Sequence, residues 1–310
     1  MSEWTIEKIL HELNEYDGIY KREAVDAAIV RKDEIIPHLI KILDNILENP
    51  EKYVEDKNFM GHMYAVKLLE YFKVTEAHKV IVDVFSMPNR IPSDLFGDSV
   101  TEDLPMILFR TCGGNVEDIK SLITNREAYD YCRASACTAL NFAVIEGMAS
   151  REEVLEFYAS LLTEDAADEY SDFWGWLVHA MCKLYPEKHL MTIKRAFDND
   201  LIQDAGFLAI ITYEEVEDYI DKGLEACLEG IRETFNRFSP DEDNFHSEME
   251  WWAAFGDTNP RTYNRLEPKE ITPPKAHSHT DHQAKTKKKK TKNKIAKKSR
   301  KKNKPKKKRK

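Results

Sequence analysis

A chain of 310 residues with 46 Lys and Arg against 55 Asp and Glu has a formal net charge of −9, an average over two opposed segments. From Lys285 to Lys310, 18 of 26 residues are basic and none is acidic, which leaves 28 basic and 55 acidic residues in 1–284, a net of −27. At 42% hydrophobic residues the acidic part is not a disordered polyanion, and its longest apolar run, Phe207 to Ile211, falls far short of the roughly 18 residues of a membrane span.

The first ten residues, MSEWTIEKIL, carry Glu3 and Glu7 and lack the basic-then-apolar order of a signal peptide. Ile6, Ile9, Leu10 and Leu13 follow with helical spacing, and Ile35 to Leu47 form a broader apolar stripe. Helix starts are written in caps. Asp33-Glu34-Ile35-Ile36-Pro37 and Thr101-Glu102-Asp103-Leu104-Pro105 each combine a capping residue, first-turn acids and a nearby proline. Asn115 reads as an N-cap, Ser150 to Glu153 as a capping box, and Gly113-Gly114 as a turn between helices. Tyr213 to Phe238 reads as one long helix that caps the stack. Cys112, Cys132, Cys137, Cys182 and Cys227 are odd in number, form no CxxC and lie at apolar helical positions, so reduced buried thiols in a cytoplasmic protein are expected.

Helix pairs recur from Ala24, Ala65, Pro105, Ala136 and Trp176, at separations of 41, 40, 31 and 40 residues. That period is the one of HEAT-like helical hairpins, each burying its face against its neighbours. The fold class is therefore all-α: an α-solenoid over residues 1–238 with a disordered C-terminal tail. Residues 239–258 contain Glu248 to Asp257 (EMEWWAAFGD), and Trp251 and Trp252 are too apolar for solvent, so this segment is expected to dock on the solenoid. Residues 259–284 read as a linker and 285–310 as the tail.

The stretches LFGDSVTEDLPMIL (95–108), YCRASACTALNFAVIEGMASREEVLEFYASLL (131–162) and EWWAAFGD (250–257) resemble a bacterial HEAT-like-repeat family of unknown function, the domain of unknown function 1186 type. Its members often end in a SEC-C zinc motif. No cysteine follows Cys227, so the motif is absent and no zinc ligand carries over. The resemblance covers roughly residues 20–257; it implies the fold and no activity.

The tail is the strongest functional signal. Lys287, Lys288, Lys289, Lys290, Lys297, Lys298, Arg300, Lys301, Lys302, Lys306, Lys307, Lys308 and Arg309 are set to contact RNA, ribosome or another polyanion by counterion release. With no aromatic among them, base stacking adds nothing. The bland readings are a solubilising tail or one lying on the acidic body. Pro305 to Lys310 also resembles a nuclear-import signal, relevant only in a chain exposed to a eukaryotic host nucleus.

Asp94, Asp98, Glu102 and Asp103 cluster at the TEDLP turn, where carboxylates could hold a cation or serve as an acid/base pair, although two are ordinary helix-start acids. His277, His279 and His282 are weak metal candidates in a polar linker. His179 and Cys182, three apart on one helix face, read as a packed pair before a nucleophile. Trp174 and Trp176 read as core, with Trp251 and Trp252 capping it; together they would otherwise offer an aromatic recognition patch. No nucleotide, hydrolase or zincin signature occurs. The expected function is a non-enzymatic scaffold without cofactor: a concave acidic solenoid face takes a protein partner, and the tail takes nucleic acid or ribosome. The alternative is an enzyme or metal-dependent factor with its site near Asp98 to Asp103.

Overall fold

A computed structural model describes residues 4–168, 171–203, 209–239, 241 and 244–255. Residues Met1–Pro260 form one compact unit; the second, Arg261–Lys310, lies outside the described residues, as do the linker histidines and the basic tail. Among the described residues the chain is built from α-helices without β-strands, an all-α solenoid. In chain order these are α1 (Ile6–Asn14), α2 (Arg22–Val30), α3 (Lys32–Glu48), α4 (Pro50–Glu55), α5 (Gly61–Tyr71) and α6 (His78–Phe85). Then come α7 (Ile91–Phe96), α8 (Ser99–Glu102), α9 (Leu104–Thr111), α10 (Glu117–Thr124), α11 (Asp130–Ile145) and α12 (Arg151–Ser160). The last are α13 (Phe173–Lys183), α14 (Leu190–Asp198), α15 (Tyr213–Lys222), α16 (Leu224–Phe238) and the one-turn α17 (His246–Met249).

Sequence character decides which layer each helix joins. In α5 every residue from Gly61 to Glu70 is buried, and in α9 all but Arg110 are. Helices apolar on all sides must be covered on all sides. They form an inner row in which α5 packs on α9, α9 on α11 and α11 on α13. Amphipathic α10 buries only Ile119, Leu122 and Ile123. It belongs to an outer row with α3 and α6, while α12 packs on α11 and α13. Ala65, Ala136 and Ala139 are fully buried where helices approach closely. At Gly61 a Cβ would come within 2.0 Å of Asn14 Oδ1. Each fully buried Leu or Ile contributes about 1.5–3 kcal/mol, and such residues are shared between the inner row, as at Leu68, Ile107 and Leu140, and the outer row, as at Leu39, Ile81 and Leu122.

Polar contacts also link successive helix pairs. His78 Nδ1 meets Thr111 Oγ1 at 2.9 Å across 33 positions, Asn125 donates to Ser86 O across 39, and Asn141 donates to Ala180 O across 39. The His78 and Asn141 bonds satisfy buried groups that would otherwise cost about 1–3 kcal/mol each, and the Asn125 bond lies in a half-buried place.

Several local expectations are corrected. The helix read from Tyr213 to Phe238 breaks at Gly223, whose φ of +83° suits glycine, and α16 turns back to lie on α11 and α13. Its Phe235 meets the rings of Phe109 and Phe142 edge-on at 5.3 and 5.2 Å. Ser150 caps α12 by accepting from Glu153 N, while a capping box with both bonds is formed by Thr212 and Glu215 on α15. Neither Asp33 nor Thr101 caps with its side chain: Arg31 holds the N-cap position of α3 and Pro37 sits inside that helix, while Thr101 lies within α8 and its Oγ1 donates to Asp98 O. Trp251 is 58% exposed, although its neighbours dock.

Candidate functional site

The four carboxylates around the TEDLP turn do not converge. Asp94 and Asp98 flank the end of α7, Glu102 ends α8, and all three are exposed. Asp103 alone points inward, to Lys67 Nζ at 3.2 Å. Among the described residues no three His, Cys, Asp or Glu side chains are arranged to hold a metal ion.

Asp103 instead belongs to a cluster that sequence reading missed. Lys67, 3% exposed on α5, also meets Glu70 Oε2 at 2.7 Å and Glu248 Oε2 at 3.7 Å. One ammonium thus serves three carboxylates. Burial alone would lower the Lys67 pKa, but attraction from Glu70, then Asp103 and Glu248, more than offsets it and the pKa is raised. Glu70 is 1% exposed; its contact with Lys67 is an ion pair without hydrogen-bond alignment, and neither oxygen has a hydrogen-bond partner. Burial therefore raises the Glu70 pKa despite Lys67. The signal was present in GHMYAVKLLEY: a Lys and a Glu three apart in a helix whose other residues, His62 apart, are apolar or aromatic.

Glu248 arrives from the far end of the chain. Residues 244–255 lie on α2 and α5 through a series of side-chain contacts. His246 donates from Nε2 to Asp26 Oδ1 (2.9 Å), leaving Nδ1 to accept from Tyr20 O–H at 2.8 Å. Glu250 pairs with Arg22, and Tyr16 O–H donates to Ala254 O at 2.7 Å. Phe245 meets the Tyr71 ring edge-on at 5.2 Å, and Phe255 lies 5.4 Å from the Tyr20 ring. Phe245, Met249 and Phe255 are buried, and they anchor the segment in the role expected of Trp251. Trp252 is half-buried and stacks on Phe255.

Beside this seat is a cavity of about 360 Å³ lined by Ile29, Lys32, Tyr71, Phe72, Lys73 and Arg110. Three of its six lining residues are cations. Lys32 donates to Phe72 O and Arg110 to Glu70 O, both at 3.4 Å, so they complement the negative end of α5.

His179 and Cys182 form no nucleophilic pair. His179 Nε2 lies 3.5 Å from Tyr219 O–H and edge-on to Trp176, and burial pushes the Cys182 thiol up to about 12. Trp174 is buried and donates from Nε1 to Thr163 O, so it is core. Burial also lowers His62 to about 4, with Nε2 donating to Leu95 O at 2.7 Å. Its pKa is depressed, so its contribution to stability is complete above pH 6.5 and is lost as pH falls from 6.5 to about 4. The expected loss is about 3 kcal/mol. Urea titrations across this range should show a drop that His62→Gln reduces.

A family profile described as protein of unknown function (DUF1186) matches residues 4–256, ending before the linker and tail. An uncharacterized protein of Chlamydia trachomatis serovar D is 34% identical over 227 residues, 73% of this chain and 88% of that protein. An uncharacterized protein of Chlamydia muridarum is 34% identical over 251 residues, 81% of this chain and 98% of its own. No solved structure matches.

Proposed function

The chain belongs to the family of proteins of unknown function (DUF1186), and from that premise we propose that it is a non-enzymatic interaction scaffold of HEAT-like hairpins working in the cytoplasm. The acidic helical body takes a basic protein partner, and the basic tail contacts RNA, ribosome or another polyanion. The observation that carries this reading is the charge division, −27 over residues 1–284 against +18 over 285–310. Exposed Glu214, Glu215, Glu217, Asp218 and Asp221 on α15 support an acidic docking surface. The five unpaired, buried cysteines suit a reducing compartment. The solvent-facing Asp94, Asp98 and Glu102 lend no support to an enzyme site.

Lysines without neighbouring aromatics bind phosphates without reading sequence, and the affinity follows salt. Full-length protein and a version ending at Gln283 are titrated with labelled single-stranded homopolymer RNA. If about six phosphates are neutralised, affinity of the full chain falls roughly three-hundredfold between 50 and 200 mM salt. The shortened version does not bind. Equal binding by both removes the tail from the function.

A further inference from the structure

We propose that the α2–α5 face is a recognition groove for a short acidic–aromatic peptide, and that residues 244–255 fill it as an internal ligand. Four contacts of the segment reach residues 220 to 238 positions earlier: Asp26, Tyr20, Arg22 and Tyr16. Its own regular structure is one helical turn and a 3₁₀ turn, too short to persist alone. Binding therefore comes from anchors, as for a peptide helix in a groove: Phe245 and Met249, at i and i+4, are both buried. Between and beside them His246, Glu248 and Glu250 meet Asp26, Lys67 and Arg22.

The groove continues past Phe245. Tyr71, the ring on which Phe245 packs, is also a wall of the cavity that carries Lys32, Lys73 and Arg110. In a body of net charge −27 this is a locally cationic place, and it calls for acids on the N-terminal side of the aromatic anchor. The chain's own sequence has that order, Asp241-Glu242-Asp243-Asn244-Phe245. The occupant defined by the groove is thus an aspartate- and glutamate-rich stretch followed by Phe and, four residues on, Met. A partner carrying this pattern competes with residues 244–255 for the seat. The residues that define the groove are other than those of the acidic face on α15 and of 285–310, so failure of the RNA experiment leaves the proposal untouched, and the reverse also holds.

The probe is a fluorescein-labelled peptide of residues 240–256. Full-length protein with Phe245→Ala and Phe255→Ala, which loosens the internal segment, is expected to bind it saturably and at least about tenfold more tightly than wild type. Adding Lys73→Gly and Arg110→Gln should weaken binding by about tenfold again; glycine suits Lys73, whose φ is +54°. A loosened variant that keeps its helical circular dichroism yet binds no better than wild type overturns the proposal, and unchanged binding after the cation substitutions overturns the acidic half of it. If the loosened variant loses helicity, wild type is exposed to the peptide carrying a photoreactive phenylalanine at position 245. Cross-linking to α5 supports the groove, and its absence at saturating peptide overturns it.

Discussion

Arg133→Ala is expected to destabilise the chain by about 5 kcal/mol. Arg133 is 0% exposed, and its guanidinium joins three elements. Nε donates to Ile123 O at 2.9 Å and Nη2 to Ala166 O at 2.7 Å, while Nη1 pairs with Asp130 at 3.5 Å. The flat of the group lies 3.4 Å from the centre of the Phe173 ring. Alanine leaves two carbonyls without this donor and a void against Phe173, and it removes a fixed charge from Asp130. Arg133→Lys should recover little, because one ammonium cannot reach both carbonyls and stack on the ring. Urea unfolding followed by far-ultraviolet dichroism measures both. A loss below about 2 kcal/mol for alanine would show that the carbonyls find other donors.

Arg133 also shows what the sequence conceals. In YCRASACTAL it is a charge in an apolar helix, and nothing local says that it reaches from the end of α10 to the loop before α13. The helical hairpins themselves were legible from Ala24, Ala65, Pro105, Ala136 and Trp176, because periodicity and small residues are local signals of a solenoid that packs neighbour on neighbour. The break at Gly223 was not, since one glycine in an amphipathic pattern is compatible with a continuous helix until packing decides. The return of residues 244–255 to α2 was legible only as an expectation that two tryptophans need cover. Trp251 did not need it: its Nε1 donates to Ser247 O and the ring stays largely in solvent. Of the four turn carboxylates only Asp103 joins other charged groups: its partner Lys67 lies 36 residues before it and also holds Glu248, far later in the chain. Pairings at that range depend on tertiary structure, which a capping motif does not encode.

Lys67→Met is expected to cost about 4 kcal/mol at pH 7, with a pH dependence that identifies its cause. Methionine fills the same channel in α5, so packing is largely kept and the loss is electrostatic. Glu70, Asp103 and Glu248 then face one another without the ammonium that now lies 2.7, 3.2 and 3.7 Å from them. Glu70 has no route to water, and its pKa is already raised by burial. A raised carboxyl pKa contributes stability that is complete below the unfolded value of 4.5 and is lost as pH rises through the folded value. Removing Lys67 raises the folded value further, so the deficit of the variant should be largest at pH 7 and shrink by at least about 1 kcal/mol at pH 5, where a protonated Glu70 needs no cation. Adding Glu70→Gln should restore about half of the loss at pH 7 and flatten the pH dependence, because a neutral amide removes the uncompensated charge and leaves the shape. A deficit that is the same at both pH values, or that Glu70→Gln leaves unchanged, would mean that Lys67 acts by filling space and that the three carboxylates find solvent without it.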